Sequence, residues 1–269
     1  MFYNLHSTAR TFTNLGIELP KACTQALELA EAITEATTTT AAAELNNGIT
    51  DGSITPANVV KKLREAAQAM LIAERLPQAA QATESALTAA FNAGIRDNAD
   101  NLIDQLSEPF NTAAATVTTA GRHFQPEANA ATVLAAGVEA AAAWQDLTEA
   151  RSTLSQIRNA RAIIADLERD NTHPALFYTA GPLTAQDVWN VQSNWGGAGD
   201  FFHHLTHEGY SLNLNTSAEA KAIEEAAQAT AEEQAATAAA TARTKREADP
   251  HSEPALRKAL IDASRAGTV

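Results

Sequence analysis

The sequence predicts a mainly α protein. The expected form is an elongated bundle or hairpin of long helices, with a small aromatic- and glycine-rich knob and an alanine-rich helical arm at the C-terminal end. Three observations carry this. Alanine makes up nearly a quarter of the 269 residues and threonine about a tenth. Hydrophobic residues reach 45%, but about half of them are alanine, which buries little area per side chain. At roughly 25 cal/mol per Å² of buried apolar surface, the sparse Leu, Ile, Val and Phe cannot sustain a thick core, and helices in close contact along narrow seams suit them better. Finally, the stretch from Asp170 to Asn215 holds half of the aromatic residues and four of the 7 histidines. By composition the chain divides into a helical body (1–170), the knob (171–215) and the arm (216–269).

The body reads as follows. Leu5, Phe12 and Leu15 make a short amphipathic start. Pro20 suits the first turn of a helix over Lys21 to Leu45, with Leu27, Ala30, Ile33 and Ala36 as its buried stripe. Asn46-Asn47-Gly48 reads as a C-cap and turn, followed by a second turn at Asp51-Gly52. Thr55-Pro56 has the chemistry of an N-cap and first helical residue, and Val60, Leu63, Ala67 and Met70 then share one face. Pro77 is expected to kink or break this helix near Leu76. The pattern resumes through Leu87, Phe91, Ile95, Leu102, Leu106 and Phe110, with Gly94 and Pro109 as weak points. After Pro126 a long helix is expected to run to about Asp170. Its seam of Leu147, Ala150, Leu154, Ile157, Ile164 and Leu167 is heptad-like, with Trp144 close to the same side. A short coiled coil or an antiparallel hairpin with the preceding helices accounts for it.

Pro174, Gly181-Pro182, Gly196-Gly197, Gly199 and Gly209 punctuate the knob. Short helices are expected around Thr184 to Val191 and Phe201 to Glu208, with a short extended piece where Leu212 and Leu214 alternate with asparagines. Thr216 or Ser217 then caps a helix reaching about Ala248, in which Ile223 is the only large apolar residue. Its early glutamates (Glu219, Glu224, Glu225, Glu232, Glu233) and late cations (Arg243, Lys245, Arg246) complement the helix dipole. Beyond Pro250, Ser252 can cap a short basic amphipathic helix carrying Leu256, Leu260 and Ile261 beside Arg257, Lys258 and Arg265.

Composition also removes function classes. The formal charge is −13 at pH 7 and the pI about 4.9. Counterion release from nucleic acid needs clustered cations, so no nucleic-acid partner is expected. Cys23 is the single cysteine, so neither an internal disulfide nor a CxxC metal site can form, and it reads as a small buried hydrophobe. The start, Met1-Phe2-Tyr3-Asn4-Leu5, lacks the basic and apolar regions of a Sec signal. No run of eighteen apolar residues exists, so no membrane partner is expected and the location reads as cytoplasmic or within a virion.

Three constellations carry candidate chemistry. His203, His204 and His207, with Glu208, form a candidate metal site, because His203 and His207 share a helix face at i and i+4 and Asp200 or His173 could add a ligand. The aromatic set Phe177, Tyr178, Trp189, Trp195, Phe201, Phe202 and Tyr210 suits the core of the knob. Trp189 and Trp195, with Leu256, Leu260 and Ile261, are the candidate partner-binding residues, since exposed aromatics anchor interfaces. Trp195-Gly196-Gly197-Ala198-Gly199 lacks the spacing, the preceding strand and the lysine of a phosphate loop, so no cofactor is implied. The tripeptide Trp195-Gly196-Gly197 resembles the WxG turn of the small secreted helical-hairpin proteins of the WXG type. That resemblance implies a secreted helical effector. The chain departs from the pattern in being about twice as long, and neither Tyr178 nor Tyr210 is followed by an acid four residues on.

No GxSxG occurs, and acid pairs such as Glu224-Glu225 lie on a helix with little to bury, where raised pKa values are not expected. The sequence therefore reads first as a non-enzymatic structural or assembly protein that self-associates or binds a partner through helices. An acidic helical body ending in a basic amphipathic helix has the shape of a phage or virion assembly component, scaffolding proteins included. A metal-binding module or metal-dependent enzyme centred on the knob histidines is the rival class.

Overall fold

A computed structural model describes residues 2–37, 41–195, 200–248 and 253–266. The protein is mainly α, and among the described residues the only strand-like pairing is an antiparallel bridge between Thr179 and Leu212. The chain separates into two compact units, Met1–Asn171 and Thr172–Val269.

The first unit contains α1 (Tyr3–Thr13), α2 (Lys21–Thr37), α3 (Ala41–Thr50), α4 (Val59–Arg96), α5 (Ala99–His123), α6 (Ala130–Ala136) and α7 (Val138–Glu168). Its core is the packing of α5 on α7, the most extensive helix pairing in the chain. Leu102, Leu106, Phe110, Val117 and Ala120 of α5 and Leu147, Leu154, Ile157 and Ile164 of α7 are all essentially inaccessible. The heptad-like seam read from the sequence is thus buried, although Leu167 lies at its edge. Phe124, just past the end of α5, meets Trp144 near the start of α7 at 5.5 Å between ring centroids, so the pair runs antiparallel. Arg161 is also fully buried on this face, with its Nη1 3.9 Å from Glu168 Oε2. The helix closes at Arg169, which takes a left-handed φ of 57° and lets the Arg169 and Asp170 N–H groups cap Asp166 and Ala165 carbonyls.

Around this pair, α1 contributes Leu5 and Phe12 to the core and Phe2, just before it, is buried too, its N–H donating to Glu84 Oε1 at 2.9 Å. Beyond α1, Ile17 is buried and the Glu18 N–H donates to Gln105 Oε1 at 2.8 Å. The contact of α2 with α4 is made differently, through small residues. Cys23, Ala26 and Ala30 are buried on α2, whereas Leu27 and Ile33 lie at the margin, which shifts the expected stripe by one residue toward Cys23. The Cys23 thiol donates to the Phe91 carbonyl at 3.3 Å, and burial pushes it up to about 11, so it stays a neutral thiol at physiological pH. Opposite it stands Gly94, where a Cβ would lie 2.8 Å from Cys23 Sγ and 3.2 Å from Ala22 Cβ.

Several helix boundaries differ from the sequence expectation, each for an identifiable reason. Neither Pro77 nor Pro109 ends a helix: both lie inside continuous helices, α4 and α5. A proline removes one hydrogen bond and crowds the carbonyl four residues back, which can bend a helix without ending it. The break comes at Asp97-Asn98, where the Asn98 side-chain amide donates to the Gly94 carbonyl at 2.9 Å and competes with the backbone ladder. Gly48 is not a C-cap but a helical residue of α3, buried because a Cβ there would come within 2.8 Å of Ile54. The turn falls instead at Gly52, with φ +78°. Thr55-Pro56 opens a separate turn, in which the Thr55 carbonyl accepts from the Asn58 and Val59 N–H groups, and α4 starts at Val59. The helix expected to follow Pro126 unbroken is split by Gly137, at φ +108°, into α6 and α7. Most consequentially, the face of Val60, Leu63, Ala67 and Met70 is exposed, while Ala66 and Ala80 are buried. Up to Ala80 the buried side chains of α4 are small ones, and its large buried residues, Phe91 and Ile95, come only near its end.

The second unit consists of a 3₁₀ turn at Pro174–Tyr178, α8 (Ala185–Asn194), α9 (Phe201–His207), α10 (Ser217–Ala248) and α11 (Glu253–Ala266).

Exchange of Gly94 for alanine isolates the close approach of α2 and α4. On propensity alone Gly94→Ala would stabilise a helix interior by about 0.8–1 kcal/mol. The clash with Cys23 should instead make it destabilising, by roughly 1–3 kcal/mol in denaturant unfolding. Cys23→Ala in the same chain should recover part of that loss. Additive effects of the two substitutions would show that the contact is not made.

Candidate functional site

The second unit is organised by one aromatic cluster. Tyr178, fully buried at the end of the 3₁₀ turn, stacks on Trp195 with ring centroids 5.6 Å apart and planes within 10°. Phe202 meets Tyr178 edge-on at 5.3 Å, and Phe201 meets Trp195 edge-on at 4.9 Å, the geometry ring quadrupoles favour. Trp195 is therefore spent largely on the packing of the knob. Trp189, on the outer side of α8, is 62% exposed.

Asn215 locks this cluster to the chain that follows. Its buried side-chain amide donates to the carbonyls of Leu176 (2.7 Å) and Thr179 (2.8 Å), and its backbone N–H donates to Phe177 O. One side chain thus satisfies a carbonyl in the middle of the 3₁₀ turn and another just past its end, a role that the sequence pattern alone does not announce.

The helix starts are capped as their sequences imply. Thr184 and Asp187 form a capping box on α8, and Tyr210 donates its hydroxyl to Asp187 Oδ1 at 3.2 Å. Hydrogen bonds from Thr184, then Tyr210, hold the Asp187 carboxyl below the usual carboxylate range. Thr216 with Glu219 caps α10 in the same way. Asp200 accepts from the His203 N–H and caps α9.

That cap places the histidines. His203 is fully buried in the unit's core, His207 one turn later is exposed, and His204 Nε2 lies 3.1 Å from Glu208 Oε1 at the surface. The i, i+4 spacing therefore places one histidine inside and one outside. Among the described residues, no three His, Cys, Asp or Glu side chains come together in a group that could hold a metal ion. Gly196, Gly197, Ala198 and Gly199, which carry the glycine-loop and WxG readings, lie outside the described residues.

The long helix α10 has two parts. Its first turns pack on α8 and the 3₁₀ turn, burying Ala220 and Ala227, and Gly181 makes room for Ile223, since a Cβ there would lie 3.0 Å from Ile223 Cγ1. From Glu232 to Lys245 every residue is exposed. Beyond it, α11 exposes Leu256, Leu260 (73%) and Ile261 alongside Arg257, Lys258 and Arg265. No helix among the described residues is long and apolar enough to cross a membrane.

Compared with protein-family models, with curated proteins and with solved structures, the chain matches none.

His173 gives the second unit a pH dependence whose sign is fixed. Its Nδ1 accepts the Ala175 N–H at 3.3 Å and so caps the 3₁₀ turn in the neutral state. Burial, opposed by Glu224, lowers its pKa below the usual histidine value near 6.5. The unfolded chain therefore takes up the proton first. The stability this cap contributes is complete above about pH 6.5 and is lost as the pH falls through the lower folded-state value. Thermal unfolding from pH 7.5 to 5 should show a decline in Tm that His173→Asn, which keeps an N-cap acceptor without titrating, makes shallower. Identical slopes for the two proteins would contradict this assignment.

Proposed function

We propose that the protein is a non-enzymatic assembly protein that acts through helix-mediated contacts with another protein or with itself, as a scaffold-like component of a virion or phage does. The observation that carries this reading is the far part of α10 together with α11. A helix of this kind gains nothing from tertiary packing, so propensity and its Glu-to-Arg charge gradient alone hold it, and both are weak sources of stability. It nevertheless ends in a basic helix with three large apolar side chains in water. Burial of Leu256, Leu260 and Ile261 against a partner would supply the stabilisation that the chain itself does not. Such a contact needs no catalytic constellation, and the thiol and carboxylates described above serve packing and capping.

Truncation after Pro250 tests the reading directly. The remaining protein should melt within about 2 °C of the full chain, because exposed residues far from packing contribute little. Sedimentation analysis of the chain alone, and mixed with the products of neighbouring genes, should show association by the full chain that the truncated chain lacks. A truncation that unfolds the protein would place the terminal helix in the core. A full chain that stays monomeric at high concentration and binds no neighbour would remove the assembly role.

A further inference from the structure

We propose that the N-terminal half of α4, residues 59–75, is a docking face for an acidic amphipathic helix of a partner protein. This reading does not depend on the role of the C-terminal helices. At 3.6 residues per turn, Val60, Leu63, Ala67, Met70 and Leu71 fall on an arc of about 100°. The four large side chains on that arc are 49–58% exposed. The other side of the helix carries Ala66 and Ala69, which line the cleft against α3 together with Leu45 and Ile54. This half of the helix therefore turns small residues toward its neighbours and large ones toward solvent, the reverse of an ordinary surface helix. The spacing of the outward residues is the one by which two amphipathic helices read each other.

The charges select the occupant. Arg64 and Arg75 are exposed along one border of the stripe, with Lys61 further round, in a chain whose net charge is −13. Glu65 is turned toward the α3 cleft and held by Lys62 at 2.9 Å. Glu74 closes the C-terminal end of the stripe. The complementary surface is a helix with large apolar residues at heptad spacing and carboxylates on the edge that meets Arg64 and Arg75. A second copy is a poorer fit. Two stripes packed antiparallel about Ala67 bring Arg64 and Arg75 of both copies to the same edge, like charge against like. An anionic membrane also fits poorly, since Glu74 lies in the apolar line and the arc has no aromatic residue to seat at the interface.

The probe is a synthetic three-heptad peptide with leucine at the core positions and glutamate at the flanks, compared with the same peptide bearing lysine flanks. In fluorescence anisotropy against the full chain, the glutamate peptide should bind at least about tenfold more tightly than the lysine peptide. Arg64→Glu with Arg75→Glu should reverse that order. Leu63→Asp with Leu71→Asp should bind neither peptide while keeping the parent Tm; if this variant unfolds, the charge-reversal pair decides alone. Equal affinity for the two peptides, or binding of neither, overturns the proposal. Dimerisation of the chain, or retention on phosphatidylserine vesicles, that is lost in the Leu63→Asp, Leu71→Asp variant assigns the stripe to a second copy or to a membrane and overturns it too.

Discussion

The packing of α5 on α7 is the constraint on which the rest of the first unit depends. A chain with so much alanine has few side chains large enough to drive folding, and it concentrates them here: Leu102, Ile103, Leu106, Phe110, Leu147 and Leu154 are among the largest fully buried residues. Each contributes about 1.5–3 kcal/mol on full burial, whereas an alanine contributes a fraction of that. With this pair in place, the N-terminal segment adds its own apolar anchors through Phe2, just before α1, and Leu5 and Phe12 within it. The C-terminal end of α4 adds Phe91 and Ile95, and the remaining contacts include close approaches through small residues. Gly94 against Cys23 and Gly48 against Ile54 are such approaches, and in both the missing Cβ is what allows the contact.

The second unit solves the same scarcity by a different route. Its seven aromatics supply area per residue that alanine cannot, and the stacked Tyr178–Trp195 pair with its two edge-on phenylalanines makes a core from a short stretch of chain. Asn215 then ties that core to the start of α10 by satisfying two carbonyls that burial would otherwise strand. Once past Ala227 the helix has nothing left to bury, and it runs into solvent on composition alone.

Legibility in the sequence followed the size of the side chains. The α5 and α7 faces were readable because Leu, Ile and Phe repeat at helical spacing, and the knob because aromatics and glycines cluster there. The cap read at Thr216 or Ser217 follows from local chemistry and falls at Thr216. Contacts made by small residues were not readable, since alanine appears on every face of every helix and marks none of them. For that reason the Val60–Met70 stripe gave a correct periodicity with no indication of which way it faces, and Gly48 passed for a turn. Of the two outcomes open at Pro77, a kink or a break, the break does not occur, and the weak point at Pro109 likewise lies within a continuous helix. His203 and His207 share a spacing that metals use, but one end of α9 enters the aromatic core and the other leaves it, which spacing does not reveal.

An account in which large buried side chains concentrate on α5 and α7, while the far part of α10 is held by propensity alone, requires stability to be graded along the chain. Amide hydrogen exchange of the full-length protein, read by mass spectrometry, tests that grading most directly. The slowest exchange in the first unit is expected in residues 102–120 of α5 and 147–164 of α7, with residues 232–245 of α10 exchanging close to the unfolded rate. Protection of 232–245 equal to that of α5 in the isolated chain would contradict it.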